Sequence, residues 1–123
     1  MTEPSSSSLR ISDATARLEW KDSGGAEQSI PLKKMETLIG RSNDADVAIG
    51  NRTVLRHHAK VVRTAGGHLL IDLHSWFGTL VNGNPINYHW LRNGDRIEVG
   101  KDHAITLFFS ETLGRRKSTG PPR

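Results

Sequence analysis

The sequence contains no cysteine, which excludes a disulfide framework, a thiolate nucleophile and any cysteine-held metal. The lack leaves the redox compartment open, because a chain without thiols is stable in either. Aromatic residues make up only 6% and hydrophobic residues 35% of the 123, so one modest core is expected. No apolar run approaches the roughly 20 residues that span a bilayer. The N-terminus also lacks an apolar signal segment, and the expectation is a soluble chain in the cytoplasm with no membrane contact. Nowhere do apolar residues recur at helical spacing for two turns, which argues against a helical fold. Acidic residues are missing from the C-terminal stretch, where Arg115, Arg116, Lys117 and Arg123 lie close together. Those four residues match the whole formal charge of +4, so the remainder is close to neutral. A nucleic-acid footprint needs basic residues clustered on one face of the fold. Nucleic-acid association through the tail is therefore the weakest partner reading, and the tail reads as a solvated extension.

What is present is short alternating segments separated by turn residues. Residues 1–12 are Ser-rich with Pro4 and read as a flexible lead. Ala14 to Trp20 alternates as a first strand, and Asp22-Ser23-Gly24-Gly25 turns the chain into a second at Gln28 to Leu32. Pro31 confines that second strand to a sheet edge or a strand end. Further strands follow at Glu36–Ile39, Val47–Ile49, Ala59–Arg63 and Leu69–Leu73, the last two joined across Ala65-Gly66-Gly67. Asn82-Gly83 and Asn93-Gly94 are two-residue turn signals that need positive φ. Arg96–Val99 and Ile105–Phe109 complete the set, with Tyr88 and Trp90 read as packing residues in the loop before them. Ten to eleven short strands with regular turns predict an all-β antiparallel sandwich or barrel over 13–112, followed by a basic tail at 113–123.

Catalytic and metal chemistry find little support. Asp72, His74 and Ser75 are triad ingredients, but on one strand end they point in alternating directions and lack triad geometry. His57 and His58 diverge for the same reason, and no ligand spacing for a metal is present. No phosphate-cradling Gly pattern exists either, so no cofactor, metal or enzyme activity is expected. Anion binding is better supported. Gly40-Arg41 ends a strand, so Arg41 projects from a loop rim, where a guanidinium fork suits phosphate. Pairing with Asp44 or Asp46 is the alternative for Arg41.

The segment Arg56-His57-His58-Ala59, followed by Asp72-Leu73-His74-Ser75-Trp76-Phe77-Gly78-Thr79-Leu80-Val81-Asn82-Gly83, resembles the core of a forkhead-associated (FHA) domain. Ile39-Gly40-Arg41 upstream and Leu91-Arg92-Asn93-Gly94-Asp95-Arg96-Ile97 downstream fit the same family, covering about residues 35–110. The resemblance implies a two-sheet antiparallel β-sandwich, a signalling module that binds phosphothreonine peptides of a partner protein through end loops. It places Arg41 and Arg56 on the phosphate and His58 as a buttress of the binding loop. Gly40, Gly78, Thr79, Asn82, Gly83, Gly94 and Asp95 then support the fold around the site, and His57 faces solvent.

Two positions depart from the family pattern. Leu55 stands where a serine hydroxyl usually bonds the phosphate, and Phe77 where an asparagine usually holds the peptide backbone. Leu55, Trp76 and Phe77 together give the rim an apolar character suited to a protein partner without phosphate. The expected state is a monomer. Ser118 and Thr119 follow basic residues as in a basophilic kinase substrate, and a phosphate there adds about −1.5 to −2 charge. Such a group could dock on this rim or on a neighbour's.

Overall fold

A computed structural model describes residues 15–112. The lead at 1–12 and the tail at 113–123, with its Arg115–Thr119 motif, lie outside the described residues. Eleven strands follow one another and no helix occurs among the described residues: β1 (Thr15–Lys21), β2 (Glu27–Pro31), β3 (Glu36–Gly40), β4 (Val47–Ala48), β5 (Ala59–Thr64), β6 (Gly67–Asp72), β7 (Thr79–Val81), β8 (Asn84–Ile86), β9 (Tyr88–Trp90), β10 (Arg96–Val99) and β11 (Ile105–Thr112). They form a six-stranded sheet in the order β2-β1-β11-β10-β7-β8 and a five-stranded sheet in the order β4-β3-β5-β6-β9. Every pairing is antiparallel except β3 with β4. With no helix present, no described helix is long and apolar enough to cross a membrane.

Period-two alternation builds the core. Leu18, Ile97, Val99, Leu107 and Phe109 from the larger sheet are fully buried, as are Ile39, Val47, Val61 and Leu70 from the smaller. Each such side chain contributes roughly 1.5–3 kcal/mol by leaving water. His68 packs its ring on Phe109 at 5.6 Å between centroids. Burial pushes its imidazole below the ordinary value, partly offset by Glu111.

Proline and positive-φ residues shape the strand edges and turns. Pro31 sits at the end of β2, the outermost strand of its sheet, as its missing N–H requires. At Asn82-Gly83 both residues have positive φ, 52° and 87°, the geometry of a tight hairpin joining β7 to β8. At Asn93-Gly94 only Gly94 does, with φ of 90°. The expected loop before β10 is instead the two short strands β8 and β9. They lie in different sheets, so Asn87 carries the chain from one layer to the other. Tyr88 and Trp90 are not packing residues: they are 67% and 49% exposed on β9.

Candidate functional site

Four loops meet at one end of the sandwich, and their cross-links define the candidate site. The first follows β3. There the Arg41 N–H donates to the Leu55 carbonyl at 2.9 Å and the Ser42 N–H to the Arg56 carbonyl at 3.1 Å. The loop before β5 therefore lies directly alongside the loop after β3. Gly40 makes this approach possible, since a Cβ there would sit 2.0 Å from the Arg56 carbonyl oxygen. Arg41 is also fixed through its side chain, with Nε donating to the Val54 carbonyl at 3.0 Å.

His58, fully buried, joins the second loop to the third. Its Nδ1 accepts the Leu55 N–H at 3.2 Å, which leaves Nε2–H to donate to the Gly78 carbonyl at 3.0 Å. Those two bonds fix the ring's tautomer and set the height of the 54–57 loop against the 76–79 loop. Asp72 braces the third loop. One carboxylate oxygen accepts the Ser75 hydroxyl at 2.6 Å and the Thr79 hydroxyl at 2.7 Å, and the other accepts the Ser75 N–H at 3.1 Å. Asp72 and Ser75 thus serve loop geometry, while exposed His74 takes a positive φ of 61° in the turn between them.

The fourth loop, after β10, carries a residue that sequence reasoning missed. The Lys101 N–H donates to Thr53 Oγ1 at 2.9 Å, and Lys101 Nζ lies 5.9 Å from the centre of the Phe77 ring. A third cation therefore accompanies the two arginines on this rim. No local signal marks it, because the contact joins residues 48 apart in the chain.

The acidic neighbours are engaged elsewhere. Asp44 accepts hydrogen bonds from the Ser42 hydroxyl and from His57 Nε2, the latter at 3.2 Å. The Ser42 hydroxyl first, and His57 second, hold its carboxyl below the usual carboxylate range against a smaller opposing effect of burial. Asp46 bonds Lys34 Nζ at 2.5 Å and the Leu38 N–H at 2.8 Å. Neither carboxylate pairs with Arg41. Among the described residues, neither Arg41 nor Arg56 has any carboxylate partner. Trp76 is 85% exposed and Phe77 47%, so neither folds back into the sandwich. Leu55 is half-buried beside Arg56.

Two supporting residues lie elsewhere. Asn82 and Gly83 sit at the end of β7 away from Gly78, where Asn82 bonds Asp95 at 2.9 Å and the Arg96 N–H at 2.9 Å. Burial pushes the Asp95 carboxyl up, but the Arg92 N–H, Asn82 and His89 together hold it below the usual range. These contacts order the far end of the sheet. An open groove of about 1100 Å³ lies along Trp20, Gln28, Ile49, Ile105 and Phe108, and neither Arg41 nor Arg56 lines it. Among the described residues, no three potential metal ligands come together.

The comparisons with known proteins agree with this fold. The family model described as the FHA domain matches residues 37–100. The oxoglutarate dehydrogenase inhibitor of Corynebacterium jeikeium is 33% identical over 97 residues, covering 79% of this chain and 67% of that protein. The ABC transporter ATP-binding/permease protein Rv1747 of Mycobacterium tuberculosis is 41% identical over 80 residues, covering 64% of this chain but only 9% of the transporter. Among solved structures, one from a structural and functional analysis of phosphothreonine-dependent FHA domain interactions superposes with a TM-score of 0.69 at 28% identity. It covers 78% of this chain and 95% of its own.

Proposed function

We propose that this chain, which belongs to the FHA domain family, is a non-catalytic module that binds phosphothreonine peptides of a signalling partner in the cytoplasm. The module occupies residues 13–112. Arg41 and Arg56 hold the phosphate, while Leu55, Trp76 and Phe77 line the path of the peptide beside it. The observation that carries this reading is the pair of backbone hydrogen bonds, at 2.9 and 3.1 Å, that hold residues 41–42 against 55–56. They bring the origins of two guanidinium side chains together on a rim where neither has a carboxylate partner among the described residues. An Arg fork aimed at a dianion is the strongest grip a protein surface offers to phosphate.

Leu55 and Phe77 make this a weakened version of the site. A hydrogen bond to a charged group is worth about 1.5–3 kcal/mol, so losing the serine contact costs about ten- to a hundredfold in affinity. The combined change Leu55→Ser and Phe77→Asn is therefore expected to tighten binding of a phosphothreonine peptide by about ten- to a hundredfold. Titration calorimetry against the unaltered chain measures it. Affinity that stays level or falls would mean the loops do not present positions 55 and 77 to the peptide.

A second reading is phosphate-independent protein binding through Leu55, Trp76 and Phe77. The 85% exposure of Trp76 favours it, since an aromatic this free on a functional rim is a typical interface anchor. On this reading Trp76→Ala weakens phosphorylated and unphosphorylated peptides alike.

A further inference from the structure

Among the described residues the two sheets have four edge strands: β2, β8, β4 and β9. An open edge invites pairing with another chain, and proteins blunt it with proline, charge or shortness. Three of the four are blunted in this way. β2 ends in Pro31, β8 carries Pro85 at its centre, and β4 is two residues long. β9 is itself only three residues long, but its ladder to β6 continues at Asn87 and Leu91, and it carries neither proline nor a formal charge: it reads Tyr88-His89-Trp90, with both aromatics exposed.

The backbone of β9 is set up for a further strand. The Asp72 N–H bonds the Asn87 carbonyl at 2.8 Å, and the Leu91 N–H bonds the His68 carbonyl at 2.9 Å. Residues 87, 89 and 91 therefore turn their polar groups toward β6, and Tyr88 and Trp90 turn theirs outward. The outer face beside this edge is apolar. In the register of the sheet, Trp90 lies next to Leu69 and Val62, and Tyr88 next to Ile71. Leu38 extends the same face on β3, and among the described residues the only charges between them, Glu36 and Lys60, pair with each other at 3.3 Å.

We infer that β9 is the interface of a symmetric dimer, in which β9 of a second copy pairs antiparallel with it and joins the two five-stranded sheets. The occupant follows from the strand's own symmetry. A two-fold axis at His89 sets Tyr88 of each copy opposite Trp90 of the other, so the residues with outward N–H and C=O groups exchange their hydrogen bonds. The same register stacks tyrosine on tryptophan twice across the strands, a favourable cross-strand pair. It also makes the two apolar faces one continuous surface. With Glu36 and Lys60 mutually neutralised, the face offers no net charge to select a differently charged partner. The expected monomer thus gives way to a dimer whose copies run in opposite directions. Its two arginine rims face opposite ways, so one dimer holds two peptides apart.

Sedimentation equilibrium of the unaltered chain over about 5–500 µM, a range suited to a small, transient interface, is expected to show the mass rising from one chain to two. Hydrogen exchange of the Tyr88 and Trp90 amides should slow over the same range. Trp90→Lys, and separately Tyr88→Lys, should keep the chain monomeric throughout. Phe108→Lys, on the outer face of the other sheet, should leave the dimer unchanged. A monomer at every concentration would overturn the inference, as would a dimer indifferent to both β9 substitutions, or association without slower exchange at residues 88 and 90.

Discussion

Arg41→Ala is expected to weaken phosphothreonine-peptide binding by about ten- to a hundredfold while leaving the fold intact. A guanidinium that forks onto a phosphate makes two charge-assisted bonds, each worth about 1.5–3 kcal/mol. Even with half of that offset by water, about 1.5–3 kcal/mol is lost, or about one to two decades of affinity. On the folded side, the substitution removes one hydrogen bond, from Nε to the Val54 carbonyl. At a part-exposed site that is worth about 0.5–1.5 kcal/mol, so the chain stays folded. Arg41→Lys should recover only a small part of the binding, because an ammonium keeps the charge but not the planar fork. Calorimetric titration with one binding peptide, alongside thermal unfolding of each variant, separates the two effects. Affinity unchanged within about twofold would remove Arg41 from the site.

Gly40→Ala has the largest expected effect on stability. The difficulty is not an unusual φ, since Gly40 has none. It is space: the added Cβ would lie 2.0 Å from the Arg56 carbonyl oxygen and 2.7 Å from its carbon. These are backbone atoms, held in place by the hydrogen bonds from the Arg41 and Ser42 N–H groups. Relief therefore requires the 54–57 loop to move away as a whole. Overpacking of this kind costs about 1–3 kcal/mol, and each broken hydrogen bond adds about 0.5–1.5. A loss of about 3 kcal/mol is expected, a large part of the roughly 5–15 kcal/mol that holds such a domain folded. The thermal midpoint should fall by about 10–20 °C, and peptide binding should go with it as Arg56 is displaced. Gly50→Ala is the natural comparison, because nothing lies within 4 Å of a Cβ there and the midpoint should barely move. Equal midpoints for the two variants would show that the loop can yield.

These two residues also illustrate how far the sequence could be read. Gly40-Arg41 stands out by position at a strand end, and the family resemblance assigns the pair a role. The sequence does not show why glycine is needed, because the opposing carbonyl belongs to Arg56, sixteen residues on. Strands with clear alternation, such as β1, and those closed by Pro31 or Asn82-Gly83 are legible because their signals are local. β8 and β9 are not. Three residues are too few to display a period, and Asn87 moves the chain between sheets with no compositional mark. Packing is the usual fate of aromatics, and nothing local to Tyr88 and Trp90 contradicts it. Their exposure arises because both lie on the outer face of the outermost strand of the sheet, a matter of topology. The contact of Lys101 with Phe77 and the pairing of His57 with Asp44 are hidden in the same way. Both join loops that are distant in the chain and are brought together by the sandwich.

The departures at Leu55 and Phe77 can be read from the sequence alone. Their consequence turns on whether a weakened phosphate site or an apolar rim dominates. Calorimetric titration of the unaltered chain with phosphothreonine peptides and their unphosphorylated twins, at one fixed ionic strength, asks this directly. On the proposed grip of Arg41 and Arg56, the phosphorylated member of a binding pair should be at least about tenfold tighter, or roughly 1.4 kcal/mol. Equal affinity of the twins would contradict the account and leave the aromatic rim as the binding surface.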